Sequence, residues 1–137
     1  MLIKWKSEFA IDDGIIDDDH KEIIGNLNSI IAALLSGANA GQLVDMIDDL
    51  HELAARHFER EERLQELLNF PDSVVHKAEH LELLESLIRI GKSLRDIPPD
   101  MAPEHSGRIK AFLYKWILSH IVHSDLKMQP YLHVAAA

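Results

Sequence analysis

Two short stretches of this 137-residue chain could do chemistry together: His57-Phe58-Glu59-Arg60-Glu61 and His76-Lys77-Ala78-Glu79-His80. Each carries two groups able to bind a metal, four residues apart. On an α-helix that spacing amounts to about 400° of turn and about 6 Å of rise, so both side chains leave one face a turn apart. Phe70-Pro71 falls between the stretches and breaks the helix there. Two helices joined by so short a break lie antiparallel, and their ligand-bearing faces can meet. Imidazoles and a carboxylate converging in a dry interior make a site for a transition metal. Thiolate sites, disulfides and redox thiols are excluded, because the chain has no cysteine.

The elements that must position these groups are read from hydrophobic period. Residues 1–17 form an arm, with Trp5, Phe9, Ile11, Ile15 and Ile16 apolar but without a clean helical repeat. A first helix is predicted over about 18–35 on the stripe Ile23, Ile24, Leu27, Ile30, Ile31 and Leu34, with His20 in its first turn. Asp17, Asp18 and Asp19 offer it a cap and a negative first turn, and are otherwise expected in solvent. A second helix over about 42–69 carries Leu43, Met46, Leu50, Leu53, His57, Leu64 and Leu67 inward. A third over about 72–95 continues His76 and His80 into Leu83, Leu87, Ile90 and Leu94. A fourth over about 104–125 turns Ile109, Leu113, Trp116 and His120 inward, with Pro130 closing it and a tail from Tyr131. Four such helices joined by short loops predict an all-α, up-down-up-down four-helix bundle with an irregular N-terminal arm, one domain over residues 1–137. In that topology His20, His57, Glu61, His76, His80 and His120 all fall at the same end.

Composition bounds the alternatives. Net charge is −9, from 14 Lys+Arg against 23 Asp+Glu, which argues against nucleic acid and anionic membranes as partners. The opening residues carry no apolar signal segment and no run is long enough to span a bilayer, so a cytoplasmic protein is expected. A single histidine on an apolar stripe is ordinarily a hydrogen-bonded core residue. Burying five of them with carboxylates and no common partner would cost about 1–3 kcal/mol per unsatisfied group. His51, His105, His123 and His133 are assigned to the surface or to positions behind the ligands, and Glu59 and Glu62 to solvent or neighbouring helices.

The set His20, His57-x-x-x-Glu61, His76-x-x-x-His80 and His120-x-x-x-x-Asp125 resembles the ligand signature of the hemerythrins in their bacterial single-domain form. The resemblance covers nearly the whole chain. It includes Trp5, Phe9, Ile11 and Ile16-Asp17 in the arm, and Trp116-Ile117 ahead of His120-Ile121. Asp12 stands where the family has Gly, Asp19 where Gln or Glu is common, and Met128 where an aromatic is frequent. The resemblance implies a cofactor of two Fe ions with an oxo or hydroxo bridge. His20 and His57 would bind one iron, His76, His80 and His120 the other, and Glu61 and Asp125 would bridge both. Five imidazoles, two bridging carboxylates and the single-atom bridge fill eleven of the twelve positions of two octahedral irons. The open position falls on the iron with two histidines. Asp125 lies about 500° of helix beyond His120, off any narrow stripe, and only the resemblance selects it.

The implied function is reversible binding of O2, with azide or nitric oxide as other small ligands, for storage, delivery or sensing. Ile23, Ile24, Phe58, Trp116, Ile117 and Ile121 are expected to wall the open position, giving an oxygen pocket without a proton donor. The paired Glu-x-x-His motifs of the oxygen-activating bundles are absent. The competing reading is a di-iron redox enzyme, a peroxidase or nitric-oxide reductase, or an iron-handling protein. A sensory role would need a protein partner in trans.

Overall fold

A computed structural model describes residues 3–96, 103–120 and 124–136. Five α-helices follow one another: α1 (Ile15–Leu35), α2 (Ala40–Leu68), α3 (Ser73–Arg95), α4 (Pro103–Ser119) and α5 (Gln129–Ala136). No strand occurs among the described residues. The first four form the up-down-up-down bundle. α2 packs chiefly against α3 and α1, and α1 also packs against α4. α5 sits at the end of the bundle that holds the histidines.

Local chemistry sets the helix ends. α1 starts at Ile15, ahead of the expected Asp18, with Gly14 as its N-cap residue and the Asp12 carboxylate supplying the acceptors that Gly14 lacks. The Asp12 carboxylate accepts from the backbone N–H groups of Gly14, Ile16 and Asp17 at 2.9–3.1 Å, three donors that a helix start otherwise leaves unpaired. Asp17 is thus freed for the arm and accepts from the N–H groups of Ile11 and Asp13, each at 2.8 Å. It is buried, not solvated. α2 opens on a reciprocal Asn39–Gln42 capping box and ends at Asn69, whose left-handed backbone (φ 51°) turns the chain into Phe70-Pro71.

The fourth helix departs most from expectation. Its regular part ends at Ser119 instead of reaching Asp125, and His120 and Ser124 both take π-helical backbone. A π turn has an i→i+5 repeat, so it narrows the angular offset between residues five apart. Asp125 faces the same interior as His120, with Oδ1 2.9 Å from His120 Nε2. A 3-10 turn over Asp125–Met128 follows, and α5 occupies the stretch expected to be a tail. Pro130 is the second residue of α5, where its missing N–H has no helical partner to lose. It opens a helix rather than closing one.

The long core is built from Ile23, Ile24, Leu27, Ile30 and Ile31 of α1, Leu43, Ile47, Leu50 and Phe58 of α2, Leu87 and Leu94 of α3, and Leu113 and Trp116 of α4. Leu67, placed inward by sequence, is 82% exposed, while Gln65 is buried. The two positions lie about 80° to either side of His57 on the helical wheel, and the bundle covers only the Gln65 side. A smaller cluster of Ile11, Ile16, Phe70 and Met128 floors the histidine end. It joins the arm, the α2–α3 turn and the 3-10 turn, and Gln65 Nε2 donates to Met128 sulfur there at 3.4 Å.

Candidate metal centre

Each helix of the bundle delivers its polar groups to one buried point. His20 comes from the first turns of α1, His57 and Glu61 from the second half of α2, His76 and His80 from the start of α3. His120 directly follows α4, and Asp125 opens the 3-10 turn Asp125–Met128. All seven side chains are at most 3% exposed. The metal-capable atoms fall into two groups, each within 4.8 Å: His20, His57, Glu61 and Asp125 in one, and His76, His80, His120, Glu61 and Asp125 in the other. Glu61 and Asp125 belong to both.

The two carboxylates divide their oxygens between the groups. Glu61 Oε2 is 2.9 Å from His57 Nε2 and 3.8 Å from His20 Nε2, while Oε1 is 2.8 Å from His76 Nε2 and 3.4 Å from His80 Nε2. Asp125 Oδ2 is 2.8 Å from His20 Nε2, and Oδ1 is 2.7 Å from His76 Nε2 and 2.9 Å from His120 Nε2. Most of these approaches lack the angles of a hydrogen bond. The Nε2 atoms of His20, His57, His80 and His120, both Glu61 oxygens and Asp125 Oδ2 have no hydrogen-bond partner among the described residues. Buried polar atoms are nearly always paired. Lone pairs gathered here at contact distance but misaimed for one another fit shared cations at their centre. Nitrogen and oxygen donors in these numbers suit a divalent transition metal, and a carboxylate with one oxygen toward each group suits a pair of ions.

The electrostatics agree. Burial opposes charge on His20 and His76, but the Asp125 and Glu61 carboxylates outweigh it and raise both imidazoles to about 9. His120 is likewise raised, against burial, to about 10 by Asp125 and by Glu79. Burial and the neighbouring Glu61 charge work against ionisation of Asp125, yet His120 and His20 keep its pKa low. Glu61 is held well below the usual carboxylate range, despite full burial, by His20, His57, His76 and His80. His80 goes the other way, pushed down chiefly by burial. Both carboxylates are thus anionic, ready to be matched by protons or by metal.

Carboxylates also stand behind the histidines, and the sequence reading missed them. Asp19 Oδ2 is 3.0 Å from His57 Nδ1, so the aspartate expected in solvent holds a site residue. Glu79 is 3.5 Å from His120 Nδ1 and accepts a hydrogen bond from Ser124. The nearby His120, with the Ser124 hydroxyl, holds its pKa down to about 2. Glu62 lies 3.8 Å from His80 Nδ1, while Glu59 is 71% exposed as expected. Glu79 had a local signal: it sits three residues after His76, on the ligand-bearing side of α3. Asp19 had none beyond its place next to His20, because its partners are on another helix.

Of the expected pocket wall, Ile23, Ile24, Phe58 and Trp116 are buried. Phe58 was expected against the two-histidine group. Its ring instead stacks flat on His80, with centroids 4.0 Å apart and planes 4° from parallel, and its centroid lies 5.1 Å from that of His120. His57 is farther, at 5.7 Å. As the residue after His57, Phe58 is turned about 100° toward α3, and this puts it over the three-histidine group. The side chain of Ile117 and all of Ile121 and His123 lie outside the described residues, as do the side chains of His105 and His133. Trp116 donates its indole N–H to the Leu83 carbonyl at 3.2 Å, which turns its proton away from the site. No helix among the described residues is long and apolar enough to cross a membrane.

A family model described as the Hemerythrin HHE cation binding domain matches residues 12–132. A hemerythrin-like protein of Naegleria gruberi is 26% identical over 123 residues, covering 90% of this chain and 87% of its own. The bacteriohemerythrin of Methylococcus capsulatus is 26% identical over 138 residues, covering 96% and 97%. A crystal structure of wild-type hemerythrin superposes with a TM-score of 0.80 at 26% identity, covering 96% of this chain and 98% of that one.

Proposed function

The chain belongs to the hemerythrin family of di-iron oxygen binders, and from that membership and the donor set we propose that it binds O2 reversibly at a non-haem di-iron centre. We assign His20 and His57 to one iron, His76, His80 and His120 to the other, and Glu61 and Asp125 to both. The observation that carries this is the division of each carboxylate, with one oxygen toward each histidine group. A ferrous pair held there would supply reversible oxygen binding, lending electrons to the gas and recovering them on release.

The chain's own residues do the rest. Asp19 accepts at the outer nitrogen of His57 and Glu79 stands 3.5 Å from that of His120, so each Nε2 lone pair is left for metal. Ile23, Ile24 and Trp116 are buried and apolar, and we assign them with Ile117 and Ile121 to a wall that excludes water, while Phe58 covers the three-histidine group. A wall with no acid among its described residues offers bound oxygen no proton from a side chain there, which favours release over reduction. That supports the binder reading over a peroxidase or a nitric-oxide reductase. We further assign residues 1–137 to one domain.

An optical spectrum tests the reading. The reduced protein should be nearly colourless, and air should develop a visible charge-transfer band. Removing the oxygen should bleach that band over several cycles, and the oxidised protein should change colour with azide. If air takes the reduced protein straight to its oxidised spectrum and releases peroxide, the binder reading fails and a redox enzyme replaces it.

A further inference from the structure

Behind the two-histidine group stands a charged pair that the metal positions do not use directly. Asp19 is one residue before His20 on α1, and Arg60 is three after His57 on α2, a spacing that keeps it on the His57 side of that helix. Arg60 Nη1 reaches Asp19 Oδ1 at 2.7 Å and Oδ2 at 2.8 Å, and Asp19 Oδ2 is also 3.0 Å from His57 Nδ1. The carboxylate therefore sits between a permanent cation and an imidazole. Asp19 has 11% of its side chain exposed, Arg60 39%. The outer end of this relay is a surface charge that can be changed without touching a ligand.

A carboxylate accepting from one nitrogen of an imidazole makes the other nitrogen a stronger metal donor. A guanidinium on the same carboxylate draws on its negative charge and limits that gain. The other histidine group is supported differently: Glu79, behind His120, has the uncharged Ser124 hydroxyl as its second partner. The two-histidine group is also the smaller, four potential ligands against five. We propose, resting on the di-iron reading above, that Arg60 is a positioning residue that acts through Asp19 to restrain the donor strength of His57. It keeps the two-histidine position the weaker and less electron-rich of the two. The surface charge at residue 60 thereby sets how tightly the oxygen-binding ion is held.

Cobalt(II) titration against a chromophoric chelator tests this, with the visible cobalt bands followed in parallel. Wild-type protein should take up two ions per chain in two steps. Asp19→Asn removes the anionic acceptor and should loosen the weaker step by about tenfold or more, within the range seen when groups behind metal ligands are replaced. Arg60→Gln keeps a hydrogen-bond donor but removes the charge, and should tighten the same step by about threefold or more with a shift in its cobalt bands. Arg60→Lys keeps the charge and should stay near wild type. A merely structural role would weaken binding in every variant, so the sign decides. Weaker or unchanged binding in Arg60→Gln overturns the proposal, as does Arg60→Lys matching it. Wild-type protein holding fewer than two ions overturns the di-iron reading and this inference with it, and that result is read from wild type alone.

Discussion

The two ends of the bundle are built from different materials. At the far end Leu27, Ile30, Ile31 and Leu34 meet Leu43, Ile47, Leu50 and Leu94, and the interior is hydrocarbon. Burying each such side chain contributes about 1.5–3 kcal/mol whatever the solution holds. At the near end the same four helices bury five imidazoles and two carboxylates, several without hydrogen-bond partners. Each such group costs about 1–3 kcal/mol until something satisfies it. One end therefore stabilises the bundle unconditionally, and the other in proportion to what fills it. The far end supplies the rigidity against which the near end can hold groups that would otherwise drift apart.

The largest effect should come from the residues both metal groups share. Glu61→Ala removes a ligand from each group, and iron content should fall from two per chain to below one. The melting temperature of protein prepared with iron should drop to near that of the metal-free form, since ions that tie helices together contribute their binding energy to folding. Leu50→Ala at the far end should cost about 2–5 kcal/mol with or without iron, and leave two irons bound. Metal analysis and calorimetry on both variants make the test. Full iron in Glu61→Ala, or lost iron in folded Leu50→Ala, would break the division between the ends.

Acidity should separate the same two forms of the protein. In the metal-free chain His20 and His76 titrate near 9 and His120 near 10. A group raised above its unfolded value of about 6.5 contributes fully below that pH and loses its contribution as the pH climbs through the folded value. The metal-free protein should therefore weaken from about pH 6.5 up to about 10. His57 shifts in the same direction, and His80 in the other. Glu61, Asp125 and Glu79 are depressed, so their contribution is present above about pH 4.5 and is lost on acidification below it. With iron bound the histidines carry no protons, so that slope vanishes above about pH 6.5 and reverses below it. The gap in melting temperature between loaded and metal-free protein should widen from pH 6 to pH 9. Parallel curves over that range would show that the imidazoles do not exchange protons for metal.

A cap at the near end should matter in both currencies, stability and metal. Asp12→Ala frees three N–H groups at the start of α1, one turn or two before His20. The helix start should loosen by about 1 kcal/mol, and with it the aim of His20. The melting point should fall further in the iron-loaded protein than in the metal-free one, because binding weakens too. Equal shifts in the two forms would mean that His20 is held by its neighbours and not by the helix start.

How much of this was legible in the sequence follows from what each signal depends on. Period alone placed His20, His57, His76, His80 and His120 on buried faces, because a helix maps spacing onto direction without reference to anything distant. The common end of the bundle followed from short connections, which leave neighbouring helices no choice but to reverse. Asp125 escaped period, since five residues from His120 is the wrong step for an α-helix. Asp17 was legible only as an acid near a helix start and Asp12 only as a departure from the family's Gly, and that Asp12 supplies the capping carboxylate was decided by the fold of the arm. Asp19 and Glu79 face nitrogens on other helices, a relation that neither spacing nor composition encodes. Phe58 was misplaced for a related reason: a residue beside a ligand is turned about 100° away from it, and only the neighbouring helix determines what it meets.

The smallest effect is the cleanest check on the independence of the two ends. Asn39 and Gln42 close the start of α2, with Asn39 Oδ1 accepting from the Gln42 N–H at 2.9 Å and Gln42 Oε1 from the Asn39 N–H at 3.3 Å. Both bonds are at the surface, so Asn39→Ala should cost about 1 kcal/mol, a melting shift of about 3–6 °C for a chain of this size. Asn39 precedes His57 by eighteen residues along one helix, about 27 Å at the rise of 1.5 Å per residue. At that distance the cap has no purchase on the direction of any ligand. Metal adds its own increment to the folded state, fixed by its affinity and concentration and not by the stability it is added to. Iron-loaded and metal-free protein should therefore lose the same free energy, with iron content unchanged. If calorimetry shows a larger loss in the loaded protein, the length of α2 transmits strain from its first turn to Glu61, and the far end is part of the site after all.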